Sequence, residues 1–428
     1  MLQQIRIQNF RSLKDVTLNL QQVNLLIGPN NSGKSNLLKA LEFLRNWIDG
    51  NVPDKQQLDR LFYNRKGLNF AKHITFRLDF SDTKNLAKIS HIYQLEIFNY
   101  GHNDKLQYNE FLGEPIKDFP SLDLSELESS FFENNFKNYD LISTQFFTKT
   151  RRSFEGSPKN ISENLFITKH GKIEVNTEAV NPGQFLNNIF FLSSFLDDGL
   201  LLLKNIVIQK PDPTKFVTPS VLSSDSKLNS DASNLVSFLF NLGQNHKKKF
   251  KQLEEDLKNC VGDIVSMSTP AISTDEGNRL KLKFFDREDK DYWADEVSEG
   301  VLYFLALLCI IHQPDPPKLL LLEEPEKGIH PRRIKEVMDF IFQLAEDKNI
   351  QIILTSHSVH VVDEFSQMPE SVFVFDKDEE GATIVRNLQT DIIAPADKKS
   401  EEEGVPPIHY TEPLSEHWVM GFLGGVPQ

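Results

Sequence analysis

Apolar and polar residues alternate at the start of the chain, with Ile5 and Ile7 before Asn9-Phe10-Arg11-Ser12 and Val16, Leu18 and Leu20 after it. Such alternation predicts two strands joined by a turn. Val23 to Ile27 reads as a short buried strand that runs straight into Gly28-Pro29-Asn30-Asn31-Ser32-Gly33-Lys34-Ser35. Beyond that loop Leu37, Leu38, Leu41, Leu44 and Ile48 recur with a helical period. Farther along, Lys318 to Leu322 and Ile350 to Leu354 are the apolar runs expected of central strands covered on both faces. Helical spacing from Arg332 to Leu344 separates them, and strand, helix and strand in that order build a parallel α/β sheet. Gly300 to Ile311 predicts a buried helix, and Leu280 to Phe285 a strand.

Between about Gly50 and Gly277 the pattern is mixed. Strands are expected at His73 to Phe80 and His91 to Phe98, followed by an acidic, phenylalanine-rich stretch from Asp118 to Phe136. Lys210 to Ser233 is rich in Pro, Ser, Asp and Lys and reads as a linker, whereas Asn234 to Val261 has the spacing of one helix or two. No heptad is sustained, so a long coiled-coil arm is not expected. The segments therefore divide as a composite core, 1–50 with 290–390, an inserted α+β lobe, 51–289, and a C-terminal tail, 391–428, expected to be charged and mobile from Asp391 to Gly404.

Composition narrows the class without naming a function. With 428 residues, 39% hydrophobic and 25% charged, the chain is an ordinary globular protein of two or three units. The N-terminus has no apolar leader, and the run from Val301 to Ile311 is about half the length of a bilayer span. Cys260 and Cys309 have no zinc or redox spacing, so a cytoplasmic protein without a membrane segment is expected. A net charge of −14 speaks against an extended basic surface. Local basic clusters occur at Lys149 to Arg152 and at His246 to Lys251, the latter read as a solvated helix face because Glu254, Glu255 and Asp256 follow.

The glycine loop carries the first chemistry. Gly28 to Ser35 fits G-x-x-x-x-G-K-[ST], in which backbone N–H groups from Asn30 to Asn36 wrap phosphates, Lys34 neutralises their charge and Ser35 ligates Mg²⁺. A side chain at Gly33 would keep the backbone from closing on the anion. The second element is Leu319 to Leu322 followed by Glu323-Glu324-Pro325, an apolar strand that delivers two acids at the edge where α/β sheets bind ligands. Strand alternation points successive residues to opposite faces, so Glu323 is read as the Mg²⁺ ligand and Glu324 as the base that orients the attacking water.

Asn9-Phe10-Arg11-Ser12, the glycine loop with Asn36, Val297-Ser298-Glu299-Gly300, Glu323-Glu324-Pro325-Glu326 with Ile329-His330-Pro331, and Thr355-Ser356-His357-Ser358 occur in this order. The series resembles the ABC-type ATPases of the OLD, RecF and SMC group. The resemblance implies an ABC-ATPase head of mixed and parallel sheet flanked by helices, with ATP and Mg²⁺ as ligands. It also implies a homodimer that sandwiches ATP, in which Ser298 and Gly300 of one protomer face the glycine loop of the other. His357 would be the switch histidine and Arg11 a residue near the nucleotide. The family's Q-loop glutamine has no convincing position among Gln94, Gln145 and Gln184.

Phe373-Val374-Phe375-Asp376-Lys377-Asp378 resembles a Toprim strand, but no earlier acidic strand fits after His357, and Glu379 to Ala382 reads as a hairpin turn. Three functions follow from the resemblance: an OLD-like ATPase serving a separately encoded effector, as in anti-phage defence; a RecF-like repair factor gripping DNA; and a scaffold that holds ATP with little turnover.

Overall fold

The computed structural model describes residues 1–51, 53–65, 69–70, 73–81, 89–98, 107–113, 166–167, 173–174, 202–203, 205–224, 226–275, 277–314, 316–327, 329–406, 410 and 412–426. Asp118 to Phe136, Lys149 to Arg152, Gln145, Gln184 and the side chain of Cys260 lie outside them. The chain divides into two compact units, 1–21 with 46–201 and 375–385, and 22–45 with 202–374 and 386–428.

The chain opens with β1 (Leu2–Phe10), β2 (Leu13–Asn19) and β3 (Val23–Ile27), then α1 (Lys34–Ile48), β4 (His73–Ser81), β5 (Ile89–Phe98) and β6 (Gln107–Gly113). In the first unit these strands build an antiparallel sheet in the order β2-β1-β4-β5-β6. Its register puts Ile5 opposite Leu78 and Ile7 opposite Phe76, all fully buried, so the alternation seen in the sequence is the alternation of a covered and an open face. Phe10 meets Phe76 edge to face at 5.7 Å. Asn9 and Arg11 turn the chain between β1 and β2 at φ of 61° and 52°.

The rest of the chain continues as β7 (Ile206–Gln209), α2 (Leu235–Asn245), α3 (Lys247–Val261), β8 (Ile264–Ser268), β9 (Ala271–Thr274), β10 (Gly277–Leu280), β11 (Lys283–Asp286) and β12 (Asp291–Trp293). It ends with α4 (Glu299–Ile311), β13 (Leu319–Glu323), α5 (Pro331–Lys348), β14 (Gln351–Thr355), α6 (Val359–Asp363), β15 (Val372–Lys377), β16 (Thr383–Asn387), α7 (Ala394–Glu403) and α8 (Leu414–Val419). In the second unit the strands β7, β13, β14, β3 and residues 372–374 of β15 lie side by side in that order. The pairs β7-β13, β13-β14, β14-β3 and β3-β15 are all parallel. Leu319 to Leu322 and Ile352 to Leu354 are fully buried, as strands covered on both faces must be. Each such leucine contributes roughly 1.5–3 kcal/mol of burial free energy.

Helix α4 is buried at every position from Gly300 to Ile311, which is why its sequence shows no polar stripe. It packs with α2, α3 and α5, and Phe304 meets Phe340 of α5 edge to face at 5.4 Å. The basic cluster starting α3 has one internal duty: Lys249 donates to the carbonyls of Gln313 and Pro314 just beyond α4, at 2.8 and 3.0 Å. Its neighbours Lys247, Lys248 and Lys251 are exposed, as expected of a solvated face.

Two local expectations change. The strand expected from Leu280 to Phe285 is two strands, because the chain leaves β10 at Lys281-Leu282 and enters another sheet at β11. Alternation alone does not register a change of partner. The segment expected as a charged, mobile tail is helical from Leu388 to Glu403, closed by Gly404 in a left-handed conformation at φ 66°. Leu414, Trp418 and Leu423 beyond it are core residues of the second unit. The turn expected at Glu379 to Ala382 is present, with Asp378 N–H donating to Ala382 O at 2.9 Å.

Candidate functional site

Three adjacent parallel strands, β13, β14 and β3, bring the predicted residues to one edge of the sheet. Register places Glu323 beside Thr355 and Thr355 beside Leu26, one residue before the last of β3. At about 4.8 Å per strand the acids and the glycine loop start about 10 Å apart. This is the carboxyl edge, where α/β folds bind ligands.

The loop after β3 is shaped by its backbone. Gly28 and Gly33 adopt φ of 143° and 114°, and Asn31 φ of 69°, so the chain curls before α1 begins at Lys34. Among the described residues no acceptor is found for the amides of Gly33, Lys34 and Ser35, as befits the first turn of a helix. Asn30, Asn31 and Ser35 are exposed, Ser32 and Gly33 are buried, and Asn36 is intermediate. Lys34 is 6% exposed, and its ammonium donates to the carbonyls of Gly28 at 2.6 Å and Pro29 at 3.0 Å. Burial pulls its pKa down to about 8, against the opposing effect of the Glu324 charge. A buried cation beneath a curl of free amides suits a polyanion.

The two acids do not face apart as strand alternation predicts. Glu324 has left the strand with a positive φ of 48°, and its N–H donates to Thr355 O at 3.0 Å. A left-handed conformation is uncommon for a residue with a side chain and clusters at functional sites. Here it returns the carboxylate to the same side as Glu323. One ammonium accordingly reaches both: Lys210 Nζ lies 3.4 Å from Glu323 Oε2 and 3.8 Å from Glu324 Oε2. Neither Lys210 nor Gln209 is visible as a site neighbour in the sequence, because β7 lies more than a hundred residues before β13 and joins it only through pairing.

The histidine loop is clamped to the acidic loop. Ser356 Oγ donates to Glu326 Oε1 at 2.6 Å and the His357 N–H donates to the same oxygen at 3.2 Å. Burial raises the Glu326 pKa despite these bonds. His357 Nε2 stands 4.0 Å from Glu324 Oε1. Burial, then the Lys34 charge, holds the His357 pKa below its ordinary value while Glu324 acts the other way, so the ring is neutral near pH 7 and donates from one nitrogen.

Ser298 and Gly300 sit elsewhere. Ser298 precedes α4 at the capping position, yet its side chain makes no capping bond; its Oγ accepts from Arg333 Nη1 of α5 at 3.1 Å. It is exposed, and no hydrogen bond joins it to the loop from Gly28 to Ser35. Gly300 is buried, with Arg333 lying 3.5 Å from where a β-carbon would stand. Arg333 was not legible as a partner of the serine. Arg11 belongs to the first unit, where its N–H donates to Leu61 O at 2.6 Å and its guanidinium lies 5.8 Å from the Phe10 ring. Of the glutamines considered, Gln94 is buried within β5 of the first unit.

A curled glycine loop opening a helix, a buried lysine, two acids at a parallel strand end and a neighbouring histidine define a P-loop ATPase domain. The family model described as "AAA domain, putative AbiEii toxin, Type IV TA system" matches residues 23–363, and the chain belongs to that family. An ATP/GTP phosphatase of Helicobacter pylori is 24% identical over 383 residues, covering 86% of this chain and 88% of that protein. The energy-coupling factor transporter ATP-binding protein EcfA2 of Bacillus licheniformis is 34% identical over 80 residues, 19% of this chain and 27% of its own length. Among solved structures, an SMC head bound to the C-winged helix domain of ScpA aligns with a TM-score of 0.47 and 14% identity over 90% of this chain and 96% of that one. Among the described residues no helix is long and apolar enough to cross a membrane.

Proposed function

We propose that this chain is a Mg²⁺-dependent ATPase whose nucleotide site is completed by a second copy. The observation that carries the reading is the placement of Ser298: exposed, oriented by Arg333, and bonded to nothing in its own glycine loop. A signature serine so held is available to a phosphate bound by another protomer.

The donor set fits the ligands. The free amides of Gly33 to Ser35 and the buried ammonium of Lys34 suit a triphosphate, while the Ser35 hydroxyl and Glu323 suit a small hard cation shared with phosphate oxygens. Bound there, Mg²⁺ would neutralise phosphate charge. The chain's own residues divide the remaining work. Glu324, held back toward the site by its positive φ, orients the attacking water and takes its proton. Neutral His357 donates to the terminal phosphate, Lys34 offsets charge in cis, and Ser298 does so in trans. Hydrolysis removes the group that joins the protomers, so dimerisation follows the nucleotide state.

The family's description names a "putative AbiEii toxin, Type IV TA system", and the name of the Helicobacter pylori relative, an ATP/GTP phosphatase, supports turnover rather than a static scaffold. Light scattering of Glu324→Gln with Mg²⁺ and ATP tests the reading. The mass doubles with ATP and stays single when Ser298→Arg is added; a mass unchanged by ATP in the Glu324→Gln protein contradicts it.

A further inference from the structure

At the end of β7, the edge strand that pairs in parallel with β13, register sets Gln209 beside Leu322 and so carries Lys210 to the level of Glu323. The strand end is fastened from its far side. Gln209 is fully buried, and in the amide orientation its surroundings require it donates to the carbonyls of Asn229 at 3.1 Å and Ser230 at 3.0 Å. The Lys210 N–H donates to Ser230 O at 2.7 Å. Successive strand residues point apart, so fixing Gln209 toward the 229–230 turn directs Lys210 toward the acids. Its ammonium then stands between the two carboxylates, at 3.4 and 3.8 Å, with 46% of the side chain still exposed.

We infer that Lys210 is a displaceable counter-ion of the acid pair, which Mg²⁺ must push aside when it enters with nucleotide, and that it sets the metal concentration at which the ATPase switches on. This rests on the P-loop reading above and adds a residue to it. Two carboxylates on one side of a strand end repel each other, and a single ammonium relieves that repulsion. The same charge opposes a second cation at Glu323. Both contacts are longer than a close ion pair and the side chain is half in water, so the hold is weak enough to yield. Lysine suits this duty because it is a point charge on a flexible stem. An arginine would grip the carboxylates through a planar fork and leave less readily. Lys210 is therefore a positioning residue that acts through Glu323 and Glu324.

The two substitutions that follow act in opposite directions, which loss of structure would not do. The test is titration of Mn²⁺ into full-length protein with ATPγS, with metal binding read by electron paramagnetic resonance and nucleotide binding read separately by equilibrium dialysis. Lys210→Met lowers the half-saturating Mn²⁺ concentration by roughly two- to fivefold, the worth of a half-exposed ion pair. Lys210→Arg raises it, and Mg²⁺-dependent turnover shifts the same way in both variants. Equal half-saturation in wild type, Lys210→Met and Lys210→Arg, with ATPγS still bound, overturns the inference and leaves the ATPase reading standing. A higher Mn²⁺ requirement in Lys210→Met also overturns it. Failure of the wild type to bind ATPγS at any metal concentration overturns both.

Discussion

The glycine-loop edge and the Ser298 face belong to the same unit and are built on opposite principles. At the loop edge every charge has a partner within the chain: Lys34 on two carbonyls, Glu324 beside Lys210 and His357, and Glu326 under the histidine loop. At the serine face one exposed arginine holds one exposed hydroxyl, and among the described residues neither side chain makes another hydrogen bond. On the reading proposed above, the first binds nucleotide and the second meets another copy of the chain. Damage to the edge should then act on nucleotide in a single copy, whereas damage to the face should act only when two copies meet.

The largest effect should come from Glu324→Gln. Loss of the base lowers turnover by about 10²- to 10⁴-fold in steady-state assays, while equilibrium dialysis shows nucleotide binding retained. Lys34→Ala reverses that pattern by weakening nucleotide affinity about 100-fold, since a buried phosphate charge loses its partner. pH sharpens the same assignment. Lys34 is a cation below its pKa of about 8, and bound phosphate raises that value. Binding thus takes up a proton only above it, so affinity is flat below about pH 8 and weakens by up to about tenfold per unit above, as calorimetry across pH would record. Arg333→Ala should have the smallest effect. Losing one exposed bond to Ser298 lowers turnover about fivefold at low protein concentration, with the nucleotide affinity of the single copy unchanged.

Much of the edge was readable because its parts are contiguous. The loop, its lysine and its helix occupy adjacent residues, and the strands flanking it are largely apolar because both sheet faces are covered. What escaped depends on pairing or on a single dihedral. Lys210 reaches the acids only through the β7-β13 register, and Arg333 reaches Ser298 only because α4 and α5 pack together. The convergence of Glu323 and Glu324 follows from one φ of 48°, which no periodicity encodes. The Q-loop search failed for a similar reason. The glutamine at the neighbouring strand end, Gln209, is turned to backbone carbonyls, and the side chain at the acids is a lysine.

Mixing two inactive proteins tests the central claim most directly. Lys34→Ala keeps an intact Ser298, and Ser298→Arg keeps an intact glycine loop, so a dimer containing one of each has a single complete site. In a mixture of equal amounts such mixed dimers carry the complete sites, and turnover should rise well above the sum of the two parents. A mixture no more active than the sum of the two parents would show that Ser298 does not serve the nucleotide of another copy.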